Sequence, residues 1–299
     1  MVSILLAAFW AAQGQAAPDD RLAAILERVS EEAEVFALTA PKAIGEETLR
    51  QRVVKAPPRF RPRVGKSALG PPPVRYQTRE IVSEYAFSSL KESPGWLYEF
   101  RQVISVDGRR IRSREKARKE LASRVRADDD ILKKKALREF ENHGLVGAAT
   151  DFGQSLLLFS RRQLGNYSFR LAGAGRIGAE RVLLIGYRQT QGHSAITIFH
   201  GDTASRPGLE GEISVRESDF LPLRVTLQVS NQEDGQPVRH QATVDYSYGA
   251  QGLLLPASVL YTKHVGPRLV AENLYTYATF RMFSVDAQIK FTPEEPPPR

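Results

Sequence analysis

The chain of 299 residues has no cysteine, two methionines and five histidines. Without a thiol there is no disulfide framework, thiolate zinc site, cysteine nucleophile or lipid-modified N-terminal cysteine. The histidines (His143, His193, His200, His240 and His264) show no HxxxH or HExxH spacing, so no metal cluster and no cofactor is expected. No run reaches the roughly 18 apolar residues of a membrane-spanning helix. With 42% hydrophobic and 25% charged residues, the composition supports a sizeable core in one or two domains.

The N-terminus carries an address. Val2–Ala12 is an apolar run of signal-peptide length, and Gly14-Gln15-Ala16 places small residues at a cleavage site after Ala16. No Lys or Arg precedes the run, so the amino group alone supplies positive charge there. Residues 1–16 are therefore expected to be a signal peptide, and the protein to be exported to the periplasm or cell envelope. Leu22, Ile25, Leu26, Val29, Ala33 and Phe36 follow at helical spacing, which predicts a helix over 17–40.

The formal charge is +8, and its source is local. Nine basic residues and no acidic one lie between Arg50 and Arg79, interleaved with Pro57, Pro58, Pro62, Pro71, Pro72 and Pro73. Proline favours extended, polyproline-like backbone. Residues 41–75 are thus expected to be a basic arm, either a solvated crossing or a contact for anionic partners. Arg59, Arg61, Arg63 and Lys66 are the candidates for an anionic membrane surface. Nucleic acid is not an expected partner of an exported chain.

Strand-like runs cover about 76–87 and 96–106. In the second, Trp96, Tyr98 and Phe100 share one face, with Glu99 and Arg101 expected on a wet one. Arg109–His143 reads as helix, with Ala117, Leu121, Val125, Leu132, Ala136 and Phe140 along one stripe and a break at Asp128-Asp129-Asp130. Its stripe includes alanines, so packing across a sheet is favoured over membrane contact. Leu156–Phe159 suggests a further short helix. From Tyr167 the period is two: Leu221 to Val229, Val238 to Tyr248 and Val285 to Phe291 alternate with polar residues. About nine strands after 167 and two before it make a sheet of about 11, too large to stay flat. Residues 292–299 are expected to be a disordered tail.

Three motifs tempt and fail. Gly173–Gly178 fits GxGxxG, but strand rather than helix follows it. Gly192-His193-Ser194 lacks the closing glycine of a nucleophile elbow and also runs into a strand. His200-Gly201-Asp202 is a turn without partners. No catalytic constellation is visible, and the chain is read as a non-enzyme.

The fold class expected is α+β: a large curved antiparallel sheet, a half-barrel over 76–291, with a helical insertion at about 112–160. This arrangement resembles the periplasmic lipoprotein-carrier superfamily of LolA- and LppX-like proteins. The resemblance lies in the export signal, the strand-to-turn element Ile104–Arg109, the paired strands of Tyr167–Gln189 and the later hairpins. It implies lid helices over an acyl-chain cavity. The inward residues Leu223, Val225, Leu227, Val244 and Tyr246 are then candidates to line a groove for a lipid or other apolar ligand. The alternative is a packed interaction module that docks on an anionic envelope partner through its basic arm.

Overall fold

The computed structural model describes residues 18–55, 74–92, 96–145, 151–192, 198–200, 203–205, 208–233, 235–249 and 252–282. The expected signal peptide, the strand over Val285–Phe291 and the tail lie outside them. So do Arg59, Arg61, Arg63 and Lys66.

Helix α1 (Pro18–Thr39) buries Ile25, Val29, Ala33 and Phe36 on one stripe. At the edge of that stripe Arg28 bonds the exposed Glu31 at 2.9 Å and the buried Glu32 at 2.5 Å, one helical turn on. Four strands follow: β1 (Ala43–Val54), β2 (Tyr76–Ser88), β3 (Tyr98–Val106) and the two-residue β4 (Arg109–Arg110). Helices α2 (Arg114–Arg126) and α3 (Asp130–Glu141) come next. Ser113 caps the first and Asp129 the second, each through a side-chain oxygen that accepts a backbone N–H. A 3-10 helix (Ser155–Phe159) and a single turn, α4 (Arg161–Leu164), precede the remaining strands. These are β5 (Tyr167–Ile177), β6 (Glu180–Gln189), β7 (Ile198–His200), β8 (Thr203–Ser205), β9 (Glu210–Arg216), β10 (Pro222–Glu233), β11 (Gln236–Tyr248), β12 (Leu254–Val265) and β13 (Arg268–Met282).

Eleven strands form one sheet in the order β4-β3-β2-β1-β13-β12-β11-β10-β9-β6-β5, and β7 and β8 pair separately. Every neighbouring pair is antiparallel. The first and last strands meet in the middle, and β4 and β5 form the two edges. The chain between them, 111–166, therefore runs from one edge of the open half-barrel to the other and, with α1, supplies the helices that cover it.

The sheet has the expected number of strands, but their distribution differs. Four precede residue 167, and seven of the nine after it join the sheet. The extra early strands are the two-residue β4 and β1, the latter inside the stretch expected to be a basic arm. There Arg50 and Arg52 are exposed, while Glu47, Leu49 and Gln51 face inward and are buried. Two of those three are polar, so the alternation reads as charge rather than as a half-buried strand. The part of that stretch from 56 to 73 lies outside the described residues.

The sheet is covered on both faces. On the inner one, Leu49, Ile81, Tyr85, Ile185, Ile213, Val225 and Val244 form one apolar cluster with α1 and the 3-10 helix. Each such side chain contributes about 2 kcal/mol of gross transfer energy. On the outer one, at the β1–β3 end, Ile44, Ala86 and Phe100 pack on Leu121 and Val125 of α2 and Ala136 of α3. The stripe read along these helices needs one correction. Leu132 is 52% exposed, and Lys133 takes the buried place, its Nζ donating to the carbonyl of Ser89 at 2.9 Å. Ala136 and Phe140 are buried as expected, and the buried position one turn before Ala136 is i−3 (Lys133) rather than i−4 (Leu132).

Candidate functional site

The inner faces of β1, β2, β3 and β13 converge on charge. Register sets Tyr85 opposite Arg101 and Glu47 opposite Tyr277. Arg101 Nε donates to both oxygens of Glu47 at 2.8 and 3.0 Å, and Nη2 donates to Glu99 Oε2 at 2.5 Å. Nη1 reaches the Glu99 carbonyl at 3.2 Å and Asp151 Oδ1 at 3.6 Å. The guanidinium lies 5.0–5.6 Å from the ring centres of Phe140, Tyr85 and Tyr275. The side chains of Glu47, Glu99 and Arg101 are at most 1% exposed.

The face expected to be wet on β3 is thus buried, because Phe140 of α3 and the segment 151–153 cover it, while Leu121 and Val125 of α2 and Ala136 of α3 pack on its reverse. Sequence reasoning missed this cluster. The available signal was Glu99 and Arg101, opposite charges two apart on one strand face. Glu47, 54 residues away from Arg101, carries no local mark.

One guanidinium serves three carboxyls. Burial raises Glu99 to about 8, with Arg101 opposing. Burial also raises Asp151, to about 6, again against Arg101. The phenols of Tyr85, Tyr246 and Tyr277 are pushed up mainly by burial. Among the described residues, no group of three His, Cys, Asp or Glu side chains could hold a metal ion.

The cluster fastens a lid. Glu99 Oε1 accepts the Gly153 N–H at 2.5 Å. A Cβ at 153 would stand 2.8 Å from Tyr85 Oη and 2.9 Å from that same Glu99 oxygen, so only glycine approaches this closely. Tyr246 Oη accepts the Leu156 N–H at 2.9 Å and donates to the Gly153 carbonyl at 3.1 Å. Gln154 Oε1 accepts from Leu97 N at 3.0 Å, and Glu34 of α1 from Arg161 N at 3.1 Å. Between these ties Leu156, Leu157, Leu158 and Phe159 are all buried.

The groove candidates lie against that lid. Val225, Leu227, Val244 and Tyr246 face inward, are buried, and share one cluster with Phe36 and Leu156–Phe159. Phe36 meets Tyr246 edge-on at 6.4 Å, and Phe159 meets Tyr187 at 5.2 Å. Leu223 sits at the bulge between Pro222 and Arg224 and is half-buried. A separate cleft of about 890 Å³, lined mainly by outward residues of β5, β6 and β9–β12, is polar, with Thr226, Gln228, Gln241 and Thr243 in its walls.

No protein-family model matches the chain, and no curated protein matches it. It is similar to the crystal structure of a DUF1329 family protein from Desulfovibrio piger at 12% identity and a TM-score of 0.36, over 89% of this chain and 94% of that one. It is also similar to a LolA superfamily protein from Nitrosomonas europaea at 11% identity and a TM-score of 0.30, over 88% and 94%. The LolA-like resemblance is distant.

Proposed function

We propose that this chain is a non-catalytic, exported envelope protein that takes an acyl chain or similar apolar ligand into the half-barrel, in the place now filled by Leu156–Phe159. One observation carries the reading. Four consecutive buried apolar residues sit on a single 3-10 helix, tied to the sheet by side-chain bonds rather than by strand pairing. Withdrawing such a plug breaks few bonds and bares apolar surface on Val225, Leu227 and Val244. An acyl chain would cover that surface again and regain about 25 cal/mol per Å². The three Leu and one Phe side chains together match a long acyl chain in carbon count.

Export is supported by the pattern of residues 1–16. No helix of the described residues is long and apolar enough to cross a membrane. Arg59, Arg61, Arg63 and Lys66 would add attraction to an anionic membrane surface. The non-catalytic reading is supported by the burial of Glu47 and Glu99, which are at most 1% exposed and bonded to Arg101.

The test is titration of the exported protein with a fluorescent fatty acid, together with native mass spectrometry and solvent extraction. Stoichiometric uptake, with faster amide exchange at Ser155–Phe159, is expected. A bare mass and no uptake would leave the packed interaction module standing instead.

A further inference from the structure

Two clefts of about 550 and 540 Å³ meet at the β3–β4 edge of the sheet and share Asn142 and His143 at the end of α3. Arg79, Arg109 and Arg110 line the first, and Arg112 and Arg124 the second. Among the described residues that line the two clefts, the acids are Asp107 and Glu120. The acids are already engaged: Asp107 lies 3.4 Å from Arg79 and Glu120 3.6 Å from Arg112. Arg79 and Arg112 are also tethered, donating to the carbonyls of His143 and Val103 at 2.8 and 2.9 Å. Arg109 and Arg110 are exposed. Among the described residues Arg109 has no ion-pair partner, and Arg110 donates to the Arg112 carbonyl at 3.3 Å.

Fixed guanidinium groups beside free ones, with positive charge in excess, suit a phosphate, whose oxygens take two parallel N–H bonds from each Arg. Position narrows the ligand further. The second cleft is also walled by Arg101 of the interior ion cluster and Phe140 of the interior core. A group bound there sits at the threshold of the half-barrel.

We infer that the two joined clefts together hold an anionic amphiphile, its phosphate headgroup at Arg109 and Arg110 of the first and its chain entering past Phe140 of the second. The inference rests on the acyl-chain reading and specifies its ligand class. The phosphate lies in the arginine cleft outside, and the chain lies in the plug's place inside.

The test compares, by calorimetry on the full chain, dihexanoyl phosphatidic acid, dihexanoylglycerol and inorganic phosphate, with R109E/R110E as the variant. R109Q/R110Q serves if charge reversal disturbs β4. Phosphatidic acid is expected to bind at least about tenfold tighter than dihexanoylglycerol. That advantage should vanish in the variant, with dihexanoylglycerol binding unchanged. Equal binding of the two amphiphiles by the native chain overturns the headgroup site and leaves the acyl-chain reading intact. Inorganic phosphate binding as tightly as phosphatidic acid also overturns the headgroup assignment, because the source is then free phosphate. Phosphatidic acid binding that depends on Arg109 and Arg110 while dihexanoylglycerol does not bind supports the site and removes the acyl-chain reading.

Discussion

Replacing Glu99 by Gln isolates the proton that holds the lid. Burial raises this carboxyl from 4.5 to about 8, so the closed state keeps a proton that hydrated Glu99 would release. A raised value in the closed state means its contribution is complete below about 4.5 and is lost as pH rises through about 8. Withdrawing Gly153 and Leu156 hydrates Glu99. The lid-opening constant should therefore rise with pH by up to about tenfold per unit inside that window. From pH 6 to pH 8 this amounts to about a hundredfold at most. Asp151, raised to about 6, acts in the same direction lower in the range, and its 23% exposure screens its share. The assay is amide hydrogen exchange at Gly153 and Leu156, corrected for the intrinsic rise of exchange rate with pH. The native protein should show the climb. E99Q should be nearly flat from pH 7 upward, from a higher starting point, because its single amide oxygen can accept from Arg101 Nη2 or Gly153 N–H but not both, and the lost bond costs about 1–3 kcal/mol. A variant climbing as steeply as the native protein, or a native protein that does not climb, refutes the reasoning.

Three further outcomes can be checked on purified variants. Arg101→Met leaves Glu47 and Glu99 buried without a guanidinium and should cost about 3–5 kcal/mol in urea unfolding; a cost below about 1 kcal/mol would show that the cluster is hydrated. Tyr246→Phe strands the Leu156 N–H and the Gly153 carbonyl, and should lower stability by about 1–3 kcal/mol; thermal melts superimposing on the native protein's would sink the lid description. Gly211→Ala puts a Cβ 1.9 Å from the Thr226 carbonyl oxygen, a backbone atom that cannot step aside. It should lower the denaturation midpoint by the equivalent of about 3 kcal/mol, and an unchanged midpoint would mean that β9 and β10 stand further apart.

Sequence alone determined what short-range physics determines here. Ile25, Val29, Ala33 and Phe36 make α1 amphipathic whatever it packs on, and Asp129 caps α3 through a bond to Ile131 N two residues away. Period-two alternation placed Val225, Leu227, Val244 and Tyr246 on one face of antiparallel strands, and an 11-strand sheet followed from counting. Alternation distinguishes two faces, but it does not say whether the second is also covered. On β3 that choice belongs to Phe140 and residues 151–153, which turned Glu99 and Arg101 from expected surface into interior. β1 escaped notice for the same reason: a strand that buries Glu47 and Gln51 is stable only because Arg101 and the Leu145 N–H reach those side chains from elsewhere in the chain. The groove residues were legible as apolar, whereas the plug that fills their groove was not. Only the tertiary structure decided these points, because burial of a charge is favourable or ruinous according to a partner that chain order does not reveal.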